Sequence, residues 1–325
     1  MKTTYAYILL LSSVICLSCN NLIKPTEKEK ELIGQIEKMI DIRQQLAEKY
    51  WPEFNEEELT VPIVFFTDSV CYVLNPKEGF LNQLECEKIE TDNLNLYRTS
   101  LLDTIPFHME THTDIFTDTT CYGKTPYLMC SNLEEAQKAI ESVKDERDWI
   151  PMVIHEMVHG CQDSHPCHYI ARQSIEYEVF EWDLAAYPSN HQWLCDSLVA
   201  ENNCLLAAIN AENEDERTKN IAQFLQCRKN RKAKMREVFG DIIVKQEEEF
   251  ETMESMARFM EVQSALLVGN PDSNYAEDSF YFCENIQKDY FFITGYNLVR
   301  LFLKIGIDLD LPYQTTEHKA LESYL

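Results

Sequence analysis

The chain has 325 residues, 45% of them hydrophobic, enough to fill one large core or two modest ones. Its 55 acidic side chains against 29 basic ones give a formal charge of −26, which argues against nucleic acid as a partner because phosphate binding needs a clustered positive surface. The single conspicuous basic run, "CRKNRKAKMR" at 227–236, lies on a helical pattern between acidic segments and reads as a solvated face.

At the N-terminus, Lys2 is followed by an apolar run from Tyr5 to Leu17 and small residues before a cysteine, the pattern of a signal peptide over residues 1–19. That run is too short to span a bilayer. The "LSC" at 17–19 resembles the lipobox of bacterial lipoproteins, although Cys16 stands where an aliphatic residue is usual. The resemblance implies a lipid anchor on Cys19 and export to a cell or outer membrane, facing the periplasm or cell surface; plain secretion with cleavage near the same place is the alternative. Residues 20–30, polar and containing Pro25, read as a tether. Ten cysteines remain beyond Cys19, an even number that permits disulfides in an exported chain and leaves their pairing open. No CxxC pair occurs among them, which disfavours a thiolate zinc site.

Further along, Leu32, Ile36, Met39, Ile40 and Leu46 recur at helical spacing. From Val61 the texture turns β-branched and aromatic, with "VPIVFFTDSVCYVLNP", "IPFHMETHTDIFT" and "TPYLMC" as the strands of a small sheet. A helix follows Ser131 or Asn132 as cap, and from Asp148 onward 170–211, 214–239, 244–268 and 291–305 read as helical. The expected class is α+β, with an α/β part over 31–148 and a helical part over 149–325.

At the junction of the two parts stands "DERDWIPMVIHEMVHGCQ", in which Asp148 is the expected cap and Pro151 falls in the first turn. His155 and His159 are four apart and share a helix face, so both imidazoles can reach one ion at about 2.0–2.1 Å. Glu156, at the edge of that face, is placed to take a proton from water acidified by the ion. Two core histidines beside a surface glutamate would be the bland alternative. The strongly apolar helix and the strand-containing region before it favour a metal.

The segment 149–306 resembles the zincin metallopeptidases, specifically the gluzincin branch, through "HEMVHGCQ", "IEYEVFEWDLAAY", "ETMESMARFMEVQSALL" and "FFITGYNLVRLFLKIG". The third of these is similar to the E-G-x-A-x-Y pattern of gluzincin ligand helices, with Ser255 for the glycine and Phe259 for the tyrosine. The fourth looks like the stretch that carries a transition-state tyrosine three before a glycine; here Phe292 holds that place before Gly295, and Tyr290 is the nearest hydroxyl. The resemblance implies a zincin-like fold, one zinc ion, Glu156 as general base, a glutamate ligand on a later helix, and peptides or proteins as substrates. Four residues compete for the third ligand position. His165 has the spacing of the metzincin pattern, but Gln162 replaces the glycine that would turn the chain. Glu178 and Glu181 lie on the next predicted helix. Glu254 sits among Met253, Met256, Phe259 and Met260, where a carboxylate is costly unless paired or bound to a cation, and is the preferred candidate, with an ion pair to Arg258 as the alternative. The missing tyrosine keeps a second function open, a zinc-retaining lipoprotein that binds without cleaving, beside a third, a metal-free helical scaffold.

Overall fold

Thr26 opens the first helix, α1 (Glu27–Lys49), through a capping box in which its hydroxyl accepts from the Glu29 amide and Glu29 accepts from the Thr26 amide. The structure is a computed structural model describing residues 22–77, 81, 84–112, 126–270 and 286–325. Residues 1–21, on which the expected signal peptide and lipobox with Cys16 and Cys19 fall, lie outside the described residues, as do Cys121 and Cys283. Residues 22–30 do not form a free tether: Ile23 bridges to Ile89 at the sheet, and residues 27–30 are already helical.

Six strands form one sheet: β1 (Ile63–Phe66), β2 (Val70–Leu74), β3 (Cys86–Lys88), β4 (Leu96–Ser100), β5 (Met109–His112) and β6 (Tyr127–Ser131), in the order β3-β4-β2-β1-β6-β5. Among the described strand pairs of the sheet only β1 and β6 run parallel, and β5 is an edge strand antiparallel to β6. Sequence reading missed β3 and β4. They are short and mix charged residues with apolar ones, so no apolar alternation marks them.

Helices follow: α2 (Leu133–Ala139), α3 (Glu146–Ser164), α4 (Pro166–Gln173), α5 (Glu181–Ala185), α6 (Tyr187–Asn190), α7 (Gln192–Asn210), α8 (Glu214–Phe239), α9 (Asp241–Leu267) and α10 (Ile286–Ile305). Asn132 caps α2, its side chain accepting from the Glu135 amide. The continuous helix predicted over 170–211 is broken after Gln173, and residues 174–180 form a non-helical segment. One core joins α1, the inner sheet face, α3, α9 and α10, so the α/β and helical parts share a single hydrophobic interior.

The basic run on α8 is a further correction. Arg228, Arg231 and Lys232 are buried, and Arg228 bonds Glu201 at 2.8 Å and both oxygens of Glu251 at 2.7 and 2.8 Å. Arg231 bonds Glu201 at 2.7 Å and Glu247 at 2.8 Å. The carboxylates come from α7 and α9, partners distant enough in sequence that local pattern reads the run as solvated.

Gly295 of α10 permits close approach to α9. A Cβ there would lie 2.7 Å from the Ser255 Cβ and 3.0 Å from the Glu251 carbonyl oxygen, neither of which can rotate aside. Gly295→Ala should therefore lower stability by about 1–3 kcal/mol, the usual cost of overpacking, against a helix-propensity gain of about 1 kcal/mol at most. Chemical denaturation of the two proteins reads the sign. Ser255, which stands where the gluzincin pattern has a glycine, is thus held at this small-residue contact.

Among the cysteines, Cys204 of α7 and Cys227 of α8 stand in side-chain hydrogen-bond contact. Cys71 and Cys86 both register with Thr99 from opposite sides of β4, which places them two strand spacings apart and unable to bridge.

Candidate metal centre

The motif helix α3 begins three residues earlier than predicted. Asp145 is the cap, accepting from the Arg147 amide at 2.8 Å, and Asp148 completes a capping box as its third residue. Pro151 accordingly lies inside the helix, where it cannot donate to the Arg147 carbonyl. Asn270, just beyond α9, supplies the missing donor at 2.7 Å and bonds Asp148 at 3.0 Å. Trp149 ties the same turn to the end of β6 through the Ser131 carbonyl at 2.9 Å. The apolar side chains Ile150, Val153, Ile154, Met157 and Val158 are buried in the core, which turns His155, Glu156 and His159 toward a cleft of about 850 Å³.

Within that cleft the two histidine Nε2 atoms approach to 3.1 Å. Glu254 of α9 straddles them, one carboxylate oxygen 3.3 Å from His155 Nε2 and the other 3.3 Å from His159 Nε2. The Nδ1 atoms are engaged elsewhere. His155 Nδ1 donates to Glu261 at 2.8 Å, two turns beyond Glu254 on the same helix, and Arg258 holds Glu261 at 2.9 Å. His159 Nδ1 donates to the Gln162 oxygen at 3.0 Å, while the Gln162 amide donates to the Met253 carbonyl and the Tyr313 hydroxyl, both at 3.0 Å.

These bonds fix the tautomers. Acceptors at both Nδ1 positions place the protons there, so a neutral pair presents two Nε2 lone pairs to each other and to a carboxylate. Three acceptors then converge without a donor, and the buried Glu254 Oε2 has no hydrogen-bond partner. Such a set calls for a cation. The electrostatics show the same need for positive charge: burial pulls the His155 imidazole down, but hydrogen bonds and charge from Glu254 and Glu261 take it up to about 10, so that without an ion a proton on His155 supplies the cation. Glu254 is driven far below the ordinary carboxylate range by the two histidines, against the opposing effect of burial. The donor set, two imidazoles and one carboxylate with oriented outer partners, could hold a metal ion with open coordination.

Glu156 comes within 4.8 Å of both imidazoles. Thr111 of β5 donates to its carbonyl at 2.7 Å and lies 3.2 Å from its carboxylate, so the edge strand orients it. Burial raises the Glu156 carboxyl above its ordinary value, partly offset by the histidines.

The remaining candidates separate clearly. His165 caps α4 and faces Glu53 at 3.6 Å, outside the residues lining the cleft. Tyr290 turns away and donates to Glu247 at 3.0 Å, whereas Phe292 lines the cleft. Glu178 lies in the non-helical segment and Glu181 at the start of α5, both on the cleft wall. Burial, followed by the charge of Glu254, raises the Glu181 carboxyl to about 7. Arg258 pairs with Glu261 rather than Glu254. Sequence reasoning did not assign roles to Glu261, Gln162 or Thr111; the spacing of 254, 258 and 261 on one helix was the available signal for the first.

Compared with protein-family models, curated proteins and solved structures, the chain matches none.

Proposed function

We propose that the protein is a zinc-dependent peptidase in which His155, His159 and Glu254 hold the ion and Glu156 is the general base. The observation that carries this reading is the convergence of two Nε2 lone pairs and the Glu254 carboxylate on one point, with Glu156 beside it. Zinc bound there would polarise a carbonyl and acidify water. Glu156, its carboxyl raised by burial, accepts the proton of the attacking water and returns it to the leaving amine. Thr111 keeps the carboxylate aimed, and Glu261 and Gln162 keep the imidazoles turned so that Nε2 faces the cleft. Substrate chemistry follows from the edge strand. Glu110, Thr111 and His112 of β5 border the cleft, and an extended peptide can add to such an edge by main-chain hydrogen bonds.

The second reading, a zinc-retaining protein that binds peptides without cleaving them, draws on Phe292, which brings a hydroxyl-free ring to the cleft. Metal analysis of protein purified without chelator, followed by a mixed-peptide digest, separates the readings. About one equivalent of zinc with cleavage is expected. Zinc without cleavage supports the second reading, and no zinc overturns both.

A further inference from the structure

The wall of the cleft formed by residues 177–182 is more elaborate than a metal site requires. Phe180 and Trp182 stack face to face, centroids 4.8 Å apart and planes 7° from parallel, yet they are 65% and 69% exposed. Large aromatic side chains so exposed at a cleft mark a contact surface. The segment bearing them is held rigidly. Gln246 of α9, fully buried, accepts from the Glu178 amide at 2.8 Å and donates to the Val179 carbonyl at 2.9 Å. Tyr177 packs on Phe250 with centroids 5.9 Å apart.

Charge along the lining is one-sided. Glu178 precedes the aromatic pair in the chain and Glu181 lies between its two members, all four lining the cleft, and Glu181 has no hydrogen-bond donor among the described residues. The single arginine of the lining, Arg172, is engaged by Asp163 and by Glu249 at 2.8 Å. A flat aromatic surface beside a carboxylate without a donor complements a planar cation, which stacks on rings through its face and bonds oxygen through its edge.

We propose that the cleft selects peptides with a basic side chain, arginine above lysine, beside the bond at the metal centre, with Glu181 taking the cation against Phe180 and Trp182. This rests on the peptidase reading for the identity of the ligand as a peptide. Recognition itself precedes any cleavage and is measured without it. The probes are end-blocked pentapeptides with central arginine, lysine or norleucine, and a norleucine peptide with a free amino terminus. Calorimetric titration into full-length zinc-loaded Glu156→Gln protein is expected to give at least about 10-fold tighter binding for arginine than for norleucine, with lysine between. Adding Glu181→Gln should bring the arginine advantage close to one, and Trp182→Ala should reduce it, with bound zinc retained in both. Equal affinity for arginine and norleucine overturns the proposal, as does an advantage that survives both substitutions, a gain conferred by the free amino terminus, or loss of zinc on Glu181→Gln, which would make that residue a ligand. An arginine preference in a protein whose native form cleaves none of the peptides would refute the peptidase reading and leave this one standing; cleavage without the preference does the reverse.

Discussion

Glu156→Gln is expected to lower peptide hydrolysis by at least about 10²-fold while fold and bound zinc persist. The amide keeps the size of the carboxylate and can still meet the Thr111 hydroxyl, but it cannot accept a proton from water. Because Glu261 and Gln162 orient the imidazoles without its help, zinc retention is the internal control. Turnover measured on a mixed-peptide digest, with metal content determined on the same preparation, checks the result. Activity within a few-fold of native would show that another group takes the proton.

The second large effect concerns the third ligand. Glu254→Ala should weaken zinc binding by more than the ~10–100-fold that loss of an outer partner gives, because it removes a donor facing both Nε2 atoms. Glu261→Gln, which weakens only the acceptor behind His155, should fall within that ~10–100-fold range. Glu254→Gln guards against a packing artefact in the alanine variant, since it preserves volume on a buried helix. Competition with a chromogenic chelator orders the affinities. Full affinity in Glu254→Ala combined with loss in Glu181→Ala or Glu178→Ala would move the ligand assignment to the cleft wall.

How much of this was legible in the sequence depended on the range of the interactions involved. The motif helix was readable because its caps, apolar stripe and histidine spacing all lie within one element. Glu254 stood out because a carboxylate among methionines and phenylalanines is anomalous on its own helix, and the structure places it against both histidines. The acidic-aromatic run reads as one helix carrying both Glu178 and Glu181, of which only Glu181 proves helical, at the start of α5. The backbone of Glu178 and Val179 is instead held by Gln246, 68 and 67 residues away, which no local pattern announces. Arg228 and Arg231 failed for the same reason, since their charge is compensated by Glu201, Glu247 and Glu251 on other helices. Gln162 looked like a defect in a metzincin pattern; it is the side chain that joins His159 to the Met253 backbone.

That last bond has a counterpart at the opposite end of the same helix pair. Asn270, beyond the C-terminus of α9, grips α3 at the carbonyl left vacant by Pro151, and Gln162, near the C-terminus of α3, grips α9 next to Glu254. Two pins through two antiparallel rods remove both sliding and rotation between them. On the proposed reading, the ordering entropy of bringing three donors together would thus be met during folding rather than at capture of the ion, unlike small zinc modules whose chain is unfolded without metal. An ion entering this seat reorganises little, so chelation should return a protein of nearly unchanged secondary structure that refills rapidly, and added zinc should raise its melting temperature only by mass action on an already formed site.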